Sequence, residues 1–247
     1  MENDQKIFRP RRKLIRNILQ RIIRLTLSIL SDVVIEGQTN FPPNGPLIVV
    51  ANHFSFLDPV AMIRATPMPI EFVGGFQLPN APAIVRGIPK LWGYYPVFRG
   101  SVSRGALIAS QEILSSGGVL GIFPEAGSWA TTLRPARPGT AVLAIRTGSQ
   151  VLPMGIDGAT DFFPKIKQGK RPKLSIRIGK IFGPFTASQD DQRDKKRLAY
   201  IGDEIMRKIA ELIPPERHGY YSDDPIIKES SKSTIIYPWE NAPEGMP

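Results

Sequence analysis

The chain is predicted to be an α/β protein with a mixed, largely parallel sheet flanked by helices. Leu47-Ile48-Val49-Val50-Ala51 and Val119-Leu120-Gly121-Ile122-Phe123 are short apolar runs bounded by turn residues, the pattern of strands buried on both faces. Stretches of helical periodicity lie between and after such runs, so strand and helix alternate along the chain. A third observation concerns the strand ends: both apolar runs lead directly into a polar motif, and open α/β sheets place their sites beyond strand C-termini. The 247 residues suffice for one such domain with a real core, and a second would be cramped.

Taken in order, residues 9–30 read as a basic amphipathic helix. Leu14, Ile15, Ile18, Leu19, Ile22 and Leu25 recur at three- and four-residue spacing, with Arg12, Arg16, Gln20 and Arg24 on the opposite side. Arg21 and Arg24 break the run, which is too short and too charged to span a bilayer and has no small-residue cleavage site. The expectation is a segment, residues 1–31, lying in a membrane plane with its apolar face down and its Arg side chains at anionic headgroups. Ser31–Gly37 reads as a first strand, and the turn Pro42–Pro46 leads into Leu47–Ala51. Residues 60–65 form a helix stopped by Pro67 and Pro69, Glu71–Gly75 a strand, and residues 104–115 a helix stopped by Gly117-Gly118. Ala141–Arg146 and Lys195–Leu212 are further helices, and Val151–Ile156 is a strand. Lys165, Lys167, Lys170, Arg171, Lys173, Arg177 and Lys180, around Gln168-Gly169, read as a hairpin with one basic face. Residues 216–247 have few core-forming runs and are expected to be an extended or disordered tail, leaving 32–215 as the main domain.

Composition removes several classes of chemistry. With no Cys, disulfides, thiolate metal sites and cysteine nucleophiles are excluded, and two His are too few for a His-rich metal centre. The patterns G-x-S-x-G, G-x-x-x-x-G-K-[ST] and G-x-G-x-x-G are also lacking. The formal charge is +10, and residues 1–30 supply +6 of it, with eight Lys or Arg against Glu2 and Asp4. That balance favours an anionic partner. The basic residues accompany an aliphatic face, without interleaved aromatics, so a lipid surface is favoured over nucleic acid.

The motif after the first apolar run is Asn52-His53-Phe54-Ser55-Phe56-Leu57-Asp58-Pro59. On one regular helix, residues five apart point about 140° away from each other. A turn at His53 leading into a helix that begins near Asp58-Pro59 would bring the two together. Asp58 on one ring nitrogen would fix the tautomer of His53, leaving the other to take a proton from a hydroxyl.

Asn-His-x-Ser-x-x-Asp resembles the first sequence block of the glycerolipid acyltransferases, the PlsC-like lysophosphatidic acid acyltransferase family. Leu91–Gly100, containing Arg99, resembles the second block, Phe123-Pro124-Glu125-Ala126-Gly127 the third, and Val151-Leu152-Pro153-Met154-Gly155 the fourth. The resemblance implies a glycerolphosphate acyltransferase-like fold and O-acyl transfer from acyl-coenzyme A or acyl carrier protein to the sn-2 hydroxyl of lysophosphatidic acid. It implies His53 and Asp58 as the catalytic pair and Arg99 as the clamp on the acceptor phosphate. Glu125, Gly127, Arg137 and Pro153 would be substrate-binding positions. No metal and no bound cofactor is implied, and a peripheral or monotopic place on the cytoplasmic face of a membrane is expected. The third block departs from the family, which usually continues Gly-Thr-Arg where this chain has Ala126-Gly127-Ser128-Trp129. Two alternatives follow: an acyltransferase for a different lyso-lipid or glycolipid, or a membrane-binding protein without activity.

Overall fold

The structure, a computed structural model, describes residues 13–74, 91–96, 104–186 and 195–235. A seven-stranded sheet runs through it in the order β1 (Asp32–Glu36), β7 (Lys173–Ile178), β6 (Gln150–Asp157), β2 (Leu47–Ala51), β5 (Val119–Ile122), β3 (Glu71–Gly74) and the two-residue β4 (Tyr95–Pro96). Every neighbouring pair is parallel except β6 and β7. β2 is flanked on both sides and fully buried, which explains its unbroken apolar sequence.

The alternation along β2 divides the core. Leu47, Val49 and Ala51 face α1 (Lys13–Leu30), α2 (Asp58–Ala65) and α5 (Phe162–Lys167), while Ile48 and Val50 face α3 (Arg104–Ser115), α4 (Gly139–Thr147) and α6 (Lys195–Ala210). The result is a three-layer α/β/α arrangement, the α/β class the sequence predicts. On α6 the stripe Ile201, Ile205 and Ile209 is buried against the sheet.

Three expectations need correcting. First, α1 docks through its polar stripe. Arg16 pairs with both carboxylate oxygens of Glu71, its Nη2 lying 2.7 Å from Oε2, and its Nε donates to the Trp92 carbonyl at 3.0 Å. Gln20 Nε2 donates to the carbonyls of Ile63 and Thr66 at 3.0 and 2.7 Å, and Arg24 Nη2 donates to Thr66 at 2.9 Å. Carbonyls at the end of a helix lack intrahelical donors, and these side chains supply them. Arg16 and Gln20 are therefore only 3% and 5% exposed, whereas Leu14, Ile18, Ile22, Leu25 and Ile29 lie between 48% and 73% exposed. Second, the stretch before Gly169 is helix, and β7 pairs back with β6 in place of a local hairpin. Phe162 is buried in the core and Phe163 packs on it, which anchors that turn of helix. Third, residues 215–235 are wound into helical turns, including α7 (Pro225–Ser230) and α8 (Lys232–Ile235). Asp224 caps α7 by accepting from the Ile226 N–H at 2.8 Å, with Pro225 in the first turn. Residues 236–247 lie outside the described residues.

Candidate functional site

The site begins where β2 runs out. The Asn52 side chain takes the place of one more ladder step: its Nδ2 donates to the Ile156 carbonyl and its Oδ1 accepts the Ile156 N–H, each at 2.8 Å. The main chain is thereby released to turn while its neighbour β6 stays satisfied. His53 follows, two residues past the end of β2.

A single oxygen of Asp58 gathers the turn. Its Oδ2 lies 3.1 Å from His53 Nδ1 and accepts the N–H groups of Phe54 and Ser55 at 2.7 Å each. Asp58 opens α2, its own N–H donating to the Ser55 carbonyl at 3.1 Å, with Pro59 behind it. The carboxyl is fully buried, and burial pushes its pKa up against the opposing pull of His53 and the two loop amides. Its partner Nδ1 fixes the His53 ring, and Nε2 has no hydrogen-bond partner among the described residues. The imidazole is 16% exposed and stacks on Phe123, centroids 4.2 Å apart. A base with a buried orienting carboxylate and an open nitrogen can accept a proton from a bound hydroxyl.

β5 ends beside β2, so Pro124-Glu125 reaches the same rim from the neighbouring strand. Glu125 is fully buried, and its carboxylate works inward. Oε1 accepts the His53 backbone N–H at 2.8 Å, and Oε2 accepts both the backbone N–H and Nε of Arg134 at 3.2 Å. Desolvation pushes Glu125 up to about 7, while the Arg134 charge and the three donors act in the other direction. Arg134 also donates through Nη2 to the Gly127 carbonyl and lies under the Trp129 ring, 3.6 Å from its centroid. A Cβ on Gly127 would come within 2.0 Å of the Trp129 ring, so only glycine permits that approach. Trp129 Nε1 donates to the Thr234 carbonyl of α8 at 3.3 Å.

The remaining candidate residues separate. Arg137 has an exposed side chain, and its backbone N–H donates to the Pro124 carbonyl at 2.8 Å, which holds it beside the site at the start of α4. Pro153 is buried within β6, paired with Val50 of β2, and a Cβ on Gly179 would meet its ring at 2.8 Å. Arg99 lies outside the described residues. Trp92 is core, its indole donating to the Ile70 carbonyl at 2.9 Å. Arg134 and Asn52 were not singled out from sequence. For Arg134 the one available signal was the missing basic residue after Gly127, since nothing local links it to a carboxylate nine positions earlier. Among the described residues no cluster of His, Asp and Glu has the makings of a metal site.

Comparison with known proteins bears on the family and the fold. A curated relative from Borreliella burgdorferi, a 1-acyl-sn-glycerol-3-phosphate acyltransferase, is 25% identical over 78% of each chain. A probable enzyme of the same name from Mycoplasma genitalium is 22% identical over 70% of each. The crystal structure of the 1-acyl-sn-glycerophosphate acyltransferase PlsC from Thermotoga maritima superposes with a TM-score of 0.55, 24% identity and 83% coverage of each chain, a likeness of fold. The family model described as Acyltransferase matches residues 32–157, from β1 to the end of β6, a span that carries His53, Asp58, Glu125 and Arg134. Over half its length, and through both loops that meet at the rim of the sheet, this chain is a member of the acyltransferase family.

Proposed function

We propose that the chain transfers a fatty acyl group from acyl-coenzyme A or acyl carrier protein to the sn-2 hydroxyl of lysophosphatidic acid, giving phosphatidic acid. The observation that carries the reading is the His53–Asp58 contact with Nε2 left open at the rim, in a family member whose curated relatives bear that activity in their names. His53 Nε2 removes the hydroxyl proton as the oxygen attacks the thioester carbonyl carbon. The carbon–sulfur bond then breaks, and the imidazolium returns the proton to the departing thiolate. Asp58 stabilises the imidazolium meanwhile. No acyl-enzyme is formed, in keeping with the lack of a cysteine or G-x-S-x-G nucleophile. Arg99 is assigned to the acceptor phosphate by a fork-like contact, with Arg137 as a second cation beside Pro124. Glu125 and Gly127 act on the acceptor indirectly, through the shape of the loop.

The acceptor is a membrane lipid, and α1 is the docking element of this reading. Its exposed Leu and Ile stripe enters the acyl boundary, without Arg16 and Gln20, which are committed to the protein. Among the described residues no helix is long and apolar enough to cross a membrane. The association in this reading is peripheral or monotopic, at the cytoplasmic face. A second reading, acyl transfer to a different lyso-lipid, is favoured by Ser128 standing where the family usually carries Arg, with Trp129 following it.

The test is thioester release with liposomes, lysophosphatidic acid and palmitoyl-coenzyme A. Release by the wild type that disappears in His53→Ala supports the reading. Release that persists in His53→Ala removes the base, and activity confined to another lyso-lipid in competition gives the second reading its place.

A further inference from the structure

The backbone of His53 hangs from one carboxylate. Glu125 Oε1 accepts the His53 N–H, and its other oxygen is taken by Arg134, which is 1% exposed. A carboxylate in that position needs a charge beside it to stay ionised without water, and Arg134 is that charge. The same guanidinium grips the Gly127 carbonyl. Between Glu125 and Gly127, Ala126 has φ 59°, the one non-glycine residue with positive φ among the described residues. Left-handed backbone at an alanine is strained by its Cβ and persists where surrounding contacts hold it. Trp129 covers the outer face of Arg134, and α8 fixes Trp129 through Thr234.

We infer that Arg134 is a positioning residue for the acyl-transfer reaction: by locking Glu125 and the Ala126–Gly127 turn, it sets where the backbone of His53 sits at the sheet rim. It reaches the His53 backbone through Glu125, which accepts from both residues, and the turn through the Gly127 carbonyl. Trp129 and the C-terminal helix α8 are the cover that keeps the pair dry. The departure at Ser128-Trp129 thus has a use: the cation comes from the returning segment, and an aromatic ring seals it in. The charged and titratable groups around Glu125 are Arg134 on that segment, His53 with Asp58 behind it on the first loop, and Arg137, tied by its backbone to Pro124.

The inference rests on His53 being the base, so the experiment includes wild type and His53→Ala. Inactive wild type, or an active His53→Ala, would remove the proposed function itself. Given an active wild type, Arg134→Met, checked for folding by circular dichroism, is expected to lower kcat by about 10–100-fold, the cost of a misplaced catalytic group. KM for the donor should hold, and the acid limb of the kcat profile should move to higher pH as Glu125 loses its counter-charge. Arg134→Lys, which keeps a charge without the fork, should recover part of kcat and serves as the reporter where Arg134→Met does not fold. In the double variant Glu125→Gln/Arg134→Met the amide needs no counter-charge, so kcat should be no lower than in Arg134→Met alone. A folded Arg134→Met with wild-type kcat and pH profile, a loss confined to KM, or additive losses in the double variant would overturn the inference.

Discussion

Helices α1 and α6 carry the same kind of sequence and sit in the molecule in opposite senses. Each has Leu and Ile at three- and four-residue spacing and basic residues on the other side. On α6, Ile201, Ile205 and Ile209 are buried and the charged residues face out; on α1, Arg16 and Gln20 are buried beside Ile23 and Leu27, and the stripe of Leu14, Ile18, Ile22, Leu25 and Ile29 faces out. Periodicity reports that a helix has two faces, but it does not say which one meets the protein. What decides is what the rest of the fold offers. Against α6 the sheet presents apolar side chains, among them Ile48, Val50 and Val151. Against α1 the fold presents, besides the apolar residues that meet Ile23 and Leu27, Glu71 and the open carbonyls at the end of α2, which only donors can satisfy.

The largest effect separates the two helices directly. Ile205→Asp puts a charge into a fully buried site and is expected to cost more than about 4 kcal/mol, whereas Ile22→Asp should leave the melting temperature within a degree or two of wild type. The second variant should instead weaken sedimentation with anionic liposomes. Equal loss of melting temperature in both variants would break the contrast.

A smaller loss tests the polar docking itself. Arg16→Met strands the Glu71 carboxylate and is expected to destabilise by about 3 kcal/mol, measured by urea denaturation. Arg16→Met/Glu71→Leu should recover much of that loss, because the orphaned charge is gone. A neutral Arg16→Met would mean that α1 is held by its few buried aliphatic residues alone.

The contrast sharpens further at Glu125, a carboxylate buried at a cost. Its pKa is raised from 4.5 to about 7, so between those values the native state keeps a proton that the unfolded chain has released. The native state then binds more protons than the unfolded one, and stability falls as pH rises through about 7 and is flat above. Asp58 is raised as well and acts with the same sign. For Glu125 the loss is on the order of 2–3 kcal/mol between about pH 5 and about pH 8, and Glu125→Gln should remove it. Thermal melts of the two proteins across this range check it; parallel curves would refute it.

These contrasts also show what could be read from the sequence. β2 and β5 were legible because strands buried on both faces leave an unbroken apolar run, and the rim was legible because both runs end in polar motifs. His53 and Asp58 were close enough in sequence for local turn chemistry to suggest their meeting. Arg134 was not, since its partner lies nine residues away across a turn that Ala126 takes in a left-handed conformation. The hidden orientation of α1 has the same cause: Thr66 and Glu71 become partners of Gln20 and Arg16 only once the sheet exists. The helix at 225–230 was within reach, for Asp224-Pro225 is a helix-start signal, outweighed by the polar composition around it.

Asn52 has a consequence for precision. Its amide imitates a peptide group, offering Ile156 one donor and one acceptor at 2.8 Å each. The residue that begins the loop is therefore tied to the neighbouring strand as a strand residue would be, one position before His53. Aspartate there would keep the acceptor and lose the donor; leucine would orphan both groups of Ile156. An imidazole can thus sit on irregular backbone and still have the sheet as its anchor.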